Sequence, residues 1–232
     1  MSKLFSSLFP RKCVFCGEII PDAGQSDALC SDCRMKYDVM CMATCAECGA
    51  RETECQCGKV PSADMQRHLF EFSGEMSRKL IYTFKRQNSR ALQEFFASEA
   101  ARILERDIPD IKAFAVTYVP RNPASVRDFG FDHAQILAEK LAARLEIPSV
   151  CAFVHKTGKG TQKELSLRER AENAEMSYVS KSGVKIGENL IIVDDVVTSG
   201  STLSRCASLA RGMGAKRVVV FTLALTGKKI SE

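Results

Sequence analysis

The sequence predicts an α/β fold preceded by a small, cysteine-rich domain. Three observations carry this. A strand–loop–helix unit stands at Asn189 to Gly214, strand-like runs and helical periodicities alternate from about residue 64 onward, and nine of the eleven cysteines fall between Cys13 and Cys57. The 232 residues suffice for one or two domains. We divide them at the polar stretch Val60–Asp64, into a cysteine-rich domain over 1–60 and an α/β domain over 64–232.

Hydrophobic content of 45% and charged content of 26% are those of a soluble globular protein. No stretch approaches a membrane span. The opening MSKLFSSLFPRK lacks the length and cleavage pattern of a signal peptide and reads as a short packing helix. A cytoplasmic location without membrane insertion is therefore expected. Up to Lys59 there are seven basic and eight acidic residues, so of the chain's net +5 the remainder carries +6, and that part would carry any affinity for polyanions.

The first elements are cysteine knuckles. Cys13/Cys16, Cys30/Cys33 and Cys45/Cys48 are C-x-x-C pairs, and Cys55/Cys57 is a compressed one. Two thiolates so spaced grip one tetrahedral Zn²⁺ while the turn amides hydrogen-bond the sulfurs. With no secretion signal, a disulfide framework is disfavoured. The simplest arrangement is two structural zinc ions, one on Cys13, Cys16, Cys30 and Cys33, the other on Cys45, Cys48, Cys55 and Cys57. Interleaved ligation, a single site, and substitution by Cys41 are the alternatives. A domain this small, with hardly any aliphatic core, needs such staples. Chelation would then unfold the N-terminal part and leave the rest folded.

His68–Phe72 alternates weakly, as an edge strand would. Met76, Leu80, Ile81 and Phe84 share one helical face, and Leu92, Phe95, Phe96, Ile103 and Leu104 mark a second helix with Asn88 or Ser89 as N-cap. Arg78, Lys79, Lys85, Arg86 and Arg90 crowd the first helix and its turn, as a solvated face or a wall toward a polyanion. Ala113–Val119 is the first core strand. Arg121 follows at its C-terminal edge, where ligands gather in open α/β sheets, and is a candidate pyrophosphate contact. Ala134, Leu137, Ala138, Leu141 and Leu145 then form a sheet-packing helix, with His133 near its start as a candidate proton carrier, although a lone histidine there is more often structural. Val150–Val154 is the second core strand. His155–Arg170 is polar and basic and reads as a flap, whose Lys159 is a candidate to close over a leaving pyrophosphate.

The central unit comes next. Leu190–Val193 is an apolar run that reads as a buried parallel strand, ending in Asp194 and Asp195. The loop Thr198-Ser199-Gly200-Ser201-Thr202 leads into a helix through Leu203, Cys206, Ala207 and Ala210. Hydroxyls and free N–H groups at a helix N-terminus suit a phosphate dianion, and Gly200 would let the backbone approach it. Adjacent carboxylates suit diol hydroxyls or hydrated Mg²⁺. Phosphate, diol and Mg²⁺ together describe a ribose 5-phosphate carrying more phosphate. Val218–Leu225 is the last strand.

The run VDDVVTSGST resembles the binding signature of type I phosphoribosyltransferases. The resemblance implies that Asp194 and Asp195 face the ribose hydroxyls of phosphoribosyl pyrophosphate bound with Mg²⁺, and that Thr198 to Thr202 hold its 5′-phosphate. The wider order resembles the ComF family: an LFP-containing opening, serial knuckles, an LIYTFKRQN helix, a VP-R strand end, a GFDHA turn, Gln162 and Leu165 in the flap, and the signature loop. This implies the type I phosphoribosyltransferase fold, with about five parallel strands in the order 3-2-1-4-5 flanked by helices, a cap over residues 68 to 106, and an N-terminal double zinc ribbon. It also implies a part in uptake of single-stranded DNA during natural competence, with single-stranded DNA and competence proteins as partners. The family commonly has arginine where this chain has Phe129, so that anion contact comes from Arg127, from Arg121 or from nothing. Three roles compete: a phosphoribosyltransferase with unknown acceptor, a single-stranded nucleic-acid-binding module, and a non-catalytic phosphoribosyl pyrophosphate sensor. The acidic pair favours the first and third, since DNA binding gains nothing from carboxylates among phosphates.

Overall fold

The computed structural model describes residues 10–20, 27–43, 45, 50–55, 60–156 and 177–226. The expected opening helix and most of the flap lie outside these residues. The α/β part is built on four parallel strands: β1 (Met65–Glu71), β2 (Ala115–Tyr118), β5 (Asn189–Val197) and β6 (Arg217–Leu225), in the spatial order β1-β6-β5-β2. The helices are α1 (Ser31–Cys41), α2 (Gly74–Arg86), α3 (Arg90–Asp107), α4 (Pro123–Phe129), α5 (His133–Leu145) and α6 (Ser201–Gly212). None is long and apolar enough to cross a membrane.

The sheet is buried on both faces, which is why β5 reads as a continuous apolar run rather than an alternation. Ile191 and Val193 enter one core with Phe96, Leu104, Leu137 and Leu141 from α3 and α5. Leu190 and Ile192 enter the other with Leu203, Cys206 and Ala210 from α6. The Ser89 hydroxyl caps α3 by accepting the Leu92 N–H at 3.4 Å, and the Asp132 carboxylate caps α5.

Three features depart from expectation. Counting Ala113–Val119 as the first core strand, the 1-4-5 part of the expected order is present as β2-β5-β6. Position 3 is not filled among the described residues, and β1 is added at the far edge beside β6. The second core strand is only a short parallel contact, in which the Val116 N–H donates to Pro148 and the Val150 N–H to Val116, each at 2.8 Å. The chain then leaves the sheet and forms an antiparallel hairpin of β3 (Phe153–His155) with β4 (Tyr178–Ser180). Residues 68 to 106 also form less of a cap than expected. Phe96 and Leu104 of α3 are fully buried, and only the C-terminal end of α2 reaches the ligand cleft.

The cysteine-rich part shares the larger core. Cys13, Cys33 and Tyr37 cluster with Phe70 and Phe95, and the Tyr37 ring stands edge-on to Phe95 at 4.9 Å and to Phe70 at 6.0 Å. Arg34 reaches across to Glu99 at 3.0 Å. On the other face Val60 and Ala63 are buried among Val197 and Leu203, and the Asp64 carboxylate accepts the Val218 N–H at 2.7 Å.

Candidate functional site

β5 delivers its two terminal carboxylates to opposite sides of the sheet, because successive side chains alternate. Asp195 turns toward α5 and is 6% exposed. One of its oxygens lies 2.9 Å from the Lys85 ammonium of α2. The other is hydrogen-bonded to His133 Nε2 at the start of α5. Burial alone would raise the Asp195 carboxyl, but His133 and Lys85 outweigh it and hold it below the usual range. Asp194 turns toward the α6 side and accepts the Asp195 N–H at 2.8 Å. Burial, then the neighbouring Asp195 charge, push its carboxyl well above 3.8. The two acids thus divide the work: one is charged and paired, the other inclined to hold a proton.

The loop after β5 ends at Gly200, which caps α6 in the left-handed region at φ 74° with no side-chain hydrogen bond to the helix. The first-turn N–H groups of α6 have no intrahelical partner, with the Ser201 N–H 3.5 Å from the Ser199 hydroxyl, and such a terminus suits an anion. The Ser199 and Ser201 hydroxyls are 2.7 Å apart at its mouth. A Cβ on Gly200 would meet Val60 at 3.7 Å and Val197 at 3.9 Å. These are ordinary contact distances, so what the position demands of glycine is its positive φ.

These groups converge on one cavity of about 550 Å³ at the C-terminal edge of the sheet, lined by Asp194, Asp195, Thr198, Ser199, Ser201 and Thr202 together with Lys85, Arg121 and His133. Its size is that of a small-molecule pocket. Arg121 is fixed from two sides: its backbone N–H donates to Asp132 at 2.8 Å, and its guanidinium stacks 4.5 Å from the Phe129 ring. Phe129 is thus a platform that orients Arg121. Arg86 lies over the same ring at 5.7 Å and over Tyr82 at 4.8 Å. Lys159 lies outside the described residues.

Sequence reasoning missed Asp132, His155 and Tyr178, and treated His133 as more often structural. Asp132 was signalled by its N-cap position before an apolar-periodic run. His155 and Tyr178, whose rings meet edge-on at 5.0 Å, line the cavity only because the β3–β4 hairpin forms. A second, largely apolar hollow of about 830 Å³ adjoins the first across Lys85 and Thr198, with Phe72, Ile81, Tyr82 and Val196 in its wall.

In the cysteine-rich part the Sγ atoms of Cys13, Cys16, Cys30 and Cys33 all lie within 4.8 Å of one another, with Cys16 and Cys30 at 3.6 Å. A tetrahedral Zn²⁺ with bonds of about 2.3 Å needs sulfurs about 3.8 Å apart, so the group fits zinc. Burial opposes the Cys13 thiolate, yet N–H groups of Cys16, Cys30 and Phe15 bring it down to about 6, whereas burial pushes the Cys33 thiol up. Of the second expected set, Cys45 and Cys55 are buried, and Cys48 and Cys57 lie outside the described residues. Cys41 stands apart from the four-thiolate group, near the end of α1, where burial pushes its thiol up to about 12.

Residues 132–232 match a phosphoribosyl transferase domain and residues 4–64 a double zinc ribbon domain. The chain is 25% identical to competence protein ComFC of Streptococcus pneumoniae, over 91% of this chain and 99% of that one. It is 27% identical to competence protein F of Haemophilus influenzae, over 94% and 98% of the two chains. Over a shorter stretch, 42% of this chain and 43% of the other, it is 35% identical to the DNA utilization protein YhgH of Escherichia coli.

Proposed function

We propose that this chain, a ComF-family protein by its relatives and by the two domains it carries, binds phosphoribosyl pyrophosphate in the cavity at the end of β5. One observation carries the reading: an open helix N-terminus, a paired set of carboxylates and oriented cations meet in the same pocket. The 5′-phosphate rests on Ser201, Thr202 and the first N–H groups of α6. The ribose hydroxyls face Asp194, because both oxygens of Asp195 are already engaged. The pyrophosphate points to Arg121, held rigid by Asp132 and Phe129, and carries its Mg²⁺ with it. The adjoining apolar hollow would take an uncharged acceptor if transfer occurs, and would leave a sensor if none is taken. The competence and DNA-utilization names of the relatives support a role in handling incoming DNA in the cytoplasm, alongside competence proteins.

Calorimetric titration of the zinc-loaded protein with phosphoribosyl pyrophosphate tests this. One-to-one binding is expected, together with weaker binding of ribose 5-phosphate. Gly200→Val should weaken both at least about tenfold, because a β-branched residue in the left-handed region costs ~1–2 kcal/mol and displaces the loop's charge-assisted contacts. Equal affinity in parent and variant would remove the loop from the site.

A second reading has its own observation. Tyr82, in the wall of the second hollow, then Arg86, Phe129 and Arg121, which lines the first cavity, alternate ring and guanidinium. Such alternation suits stacked bases and phosphates of a single strand. Arg86→Ala should then lower single-stranded DNA affinity and reduce the slope of log affinity against log salt by about 0.7, the value for one single-strand phosphate contact. An unchanged slope would return Arg86 to the solvated surface.

A further inference from the structure

We propose that Lys85 is the resident counter-ion of the acidic pair, and that it excludes a directly coordinated divalent cation from Asp195. Both oxygens of the Asp195 carboxylate are engaged. One lies 2.9 Å from the Lys85 ammonium, and the other is hydrogen-bonded to His133 Nε2. His133 is 5% exposed, and its Nδ1 is buried with no hydrogen-bond partner. A proton on Nδ1 would be a buried donor left unmade, so the proton belongs on Nε2, donating to Asp195. The ring stands edge-on to Phe84 at 5.6 Å, and Phe84 is itself in the core, so His133 has no room to swing aside.

A Mg²⁺ ion bonds carboxylate oxygen at about 2.0–2.1 Å and demands near-octahedral geometry. It could reach Asp195 only by expelling the ammonium, since the two cations would compete for one oxygen. Lys85 is held at its backbone, although its side chain is 36% exposed. It sits on the last turn of α2, whose Leu80, Ile81 and Phe84 are anchored in the core. Its own carbonyl faces the Arg121 guanidinium at 3.5 Å. Asp194 offers little compensation, because burial and the Asp195 charge incline it to stay protonated. The pocket therefore carries its cation as a side chain, and a divalent ion enters only on the phosphates of a ligand. The consequence for ligand binding rests on the reading above; the competition for Asp195 does not.

The test uses zinc-loaded protein without ligand, titrated with Mn²⁺ and followed by electron paramagnetic resonance. The parent should show no saturable Mn²⁺ binding below about 1 mM, the weak end of oxygen-ligated cation sites. Lys85→Gln should bind Mn²⁺ at least about tenfold more tightly, as expected when one charged competitor is removed. Lys85→Arg, which keeps the charge, should stay like the parent, and adding Asp195→Asn to Lys85→Gln should abolish the gain. Sub-millimolar Mn²⁺ binding by the parent that is lost in Asp195→Asn would overturn the proposal without recourse to any Lys85 variant. So would a folded Lys85→Gln protein that binds no more tightly than the parent. Failure of phosphoribosyl pyrophosphate to bind would sink the ligand reading and leave the Mn²⁺ result standing.

Discussion

Replacing Cys33 with serine is expected to remove one equivalent of zinc per chain and to lower the melting temperature of the whole molecule, not of the ribbon alone. Cys33 lies in the first turn of α1, which starts directly after Cys30, so two of the four sulfurs fix where that helix begins. The same helix carries Tyr37, fully buried against Phe70 of β1 and Phe95 of α3. Structural zinc contributes about 10–16 kcal/mol of apparent binding energy to small domains that fold around it. Losing it frees α1 and wets a face of the larger core. Each large apolar side chain so exposed costs about 1.5–3 kcal/mol. Arg34, which bridges to Glu99 and lies 5.2 Å from the Phe95 ring, would go with it. This revises the expectation that chelation spares the α/β part. Zinc content and thermal melts of parent and variant decide the matter. A variant that loses zinc while the α/β part melts unchanged would show that the shared core carries no coupling.

Asp194→Asn is expected to stabilise the ligand-free protein and to weaken ligand binding. The Asp194 carboxyl is raised well above its unfolded value of 3.8 by burial and by Asp195. A carboxyl with a raised folded pKa contributes its stability below the unfolded value and loses it as pH rises through the folded one. At neutral pH the parent therefore carries a burden that an isosteric amide lacks, and asparagine can still accept the Asp195 N–H. A gain of about 1 kcal/mol is in line with other relieved functional sites. The gain should grow from pH 4 upward, since only the parent loses stability through that window. Asp195 has the opposite sign: its lowered carboxyl supports the fold above 3.8 and ceases to do so as pH falls through its folded pKa. Denaturant melts across pH, with affinity for phosphoribosyl pyrophosphate measured alongside, check both halves. A variant less stable than its parent at pH 7, or one that binds ligand as tightly, would contradict the division of labour between the two acids.

The parts of the site that were legible in the sequence are those encoded locally. The β5 run, its acidic end, the hydroxyl loop and the periodicity of α6 are contiguous, and each signal concerns residues within a turn of one another. The knot of Lys85, His133 and Asp195 was not legible, because it joins α2, α5 and β5, and only the packing of α2 and α5 on one face of the sheet brings them together. Phe129 was visible as a departure, but its use as a platform depends on Arg86 and Arg121 arriving from separate elements. The split into two domains followed cysteine density. Composition records where metal ligands lie along the chain, not which surface the helix between them covers, so the burial of Tyr37 in the larger core went unseen. The strand at 150–154 had the right residues for the sheet but was drawn instead into pairing with Tyr178–Ser180.

The central claim is that the end of β5 and the start of α6 hold a phosphorylated ribose. Diffraction from crystals of the zinc-loaded protein soaked with phosphoribosyl pyrophosphate tests it most directly. The 5′-phosphate is expected at the N-terminus of α6, within hydrogen-bonding reach of Ser201 and Thr202, with the ribose hydroxyls at Asp194 and Lys85 still on Asp195. Ligand bound away from that loop, or no ligand there at concentrations that saturate a solution titration, would contradict it.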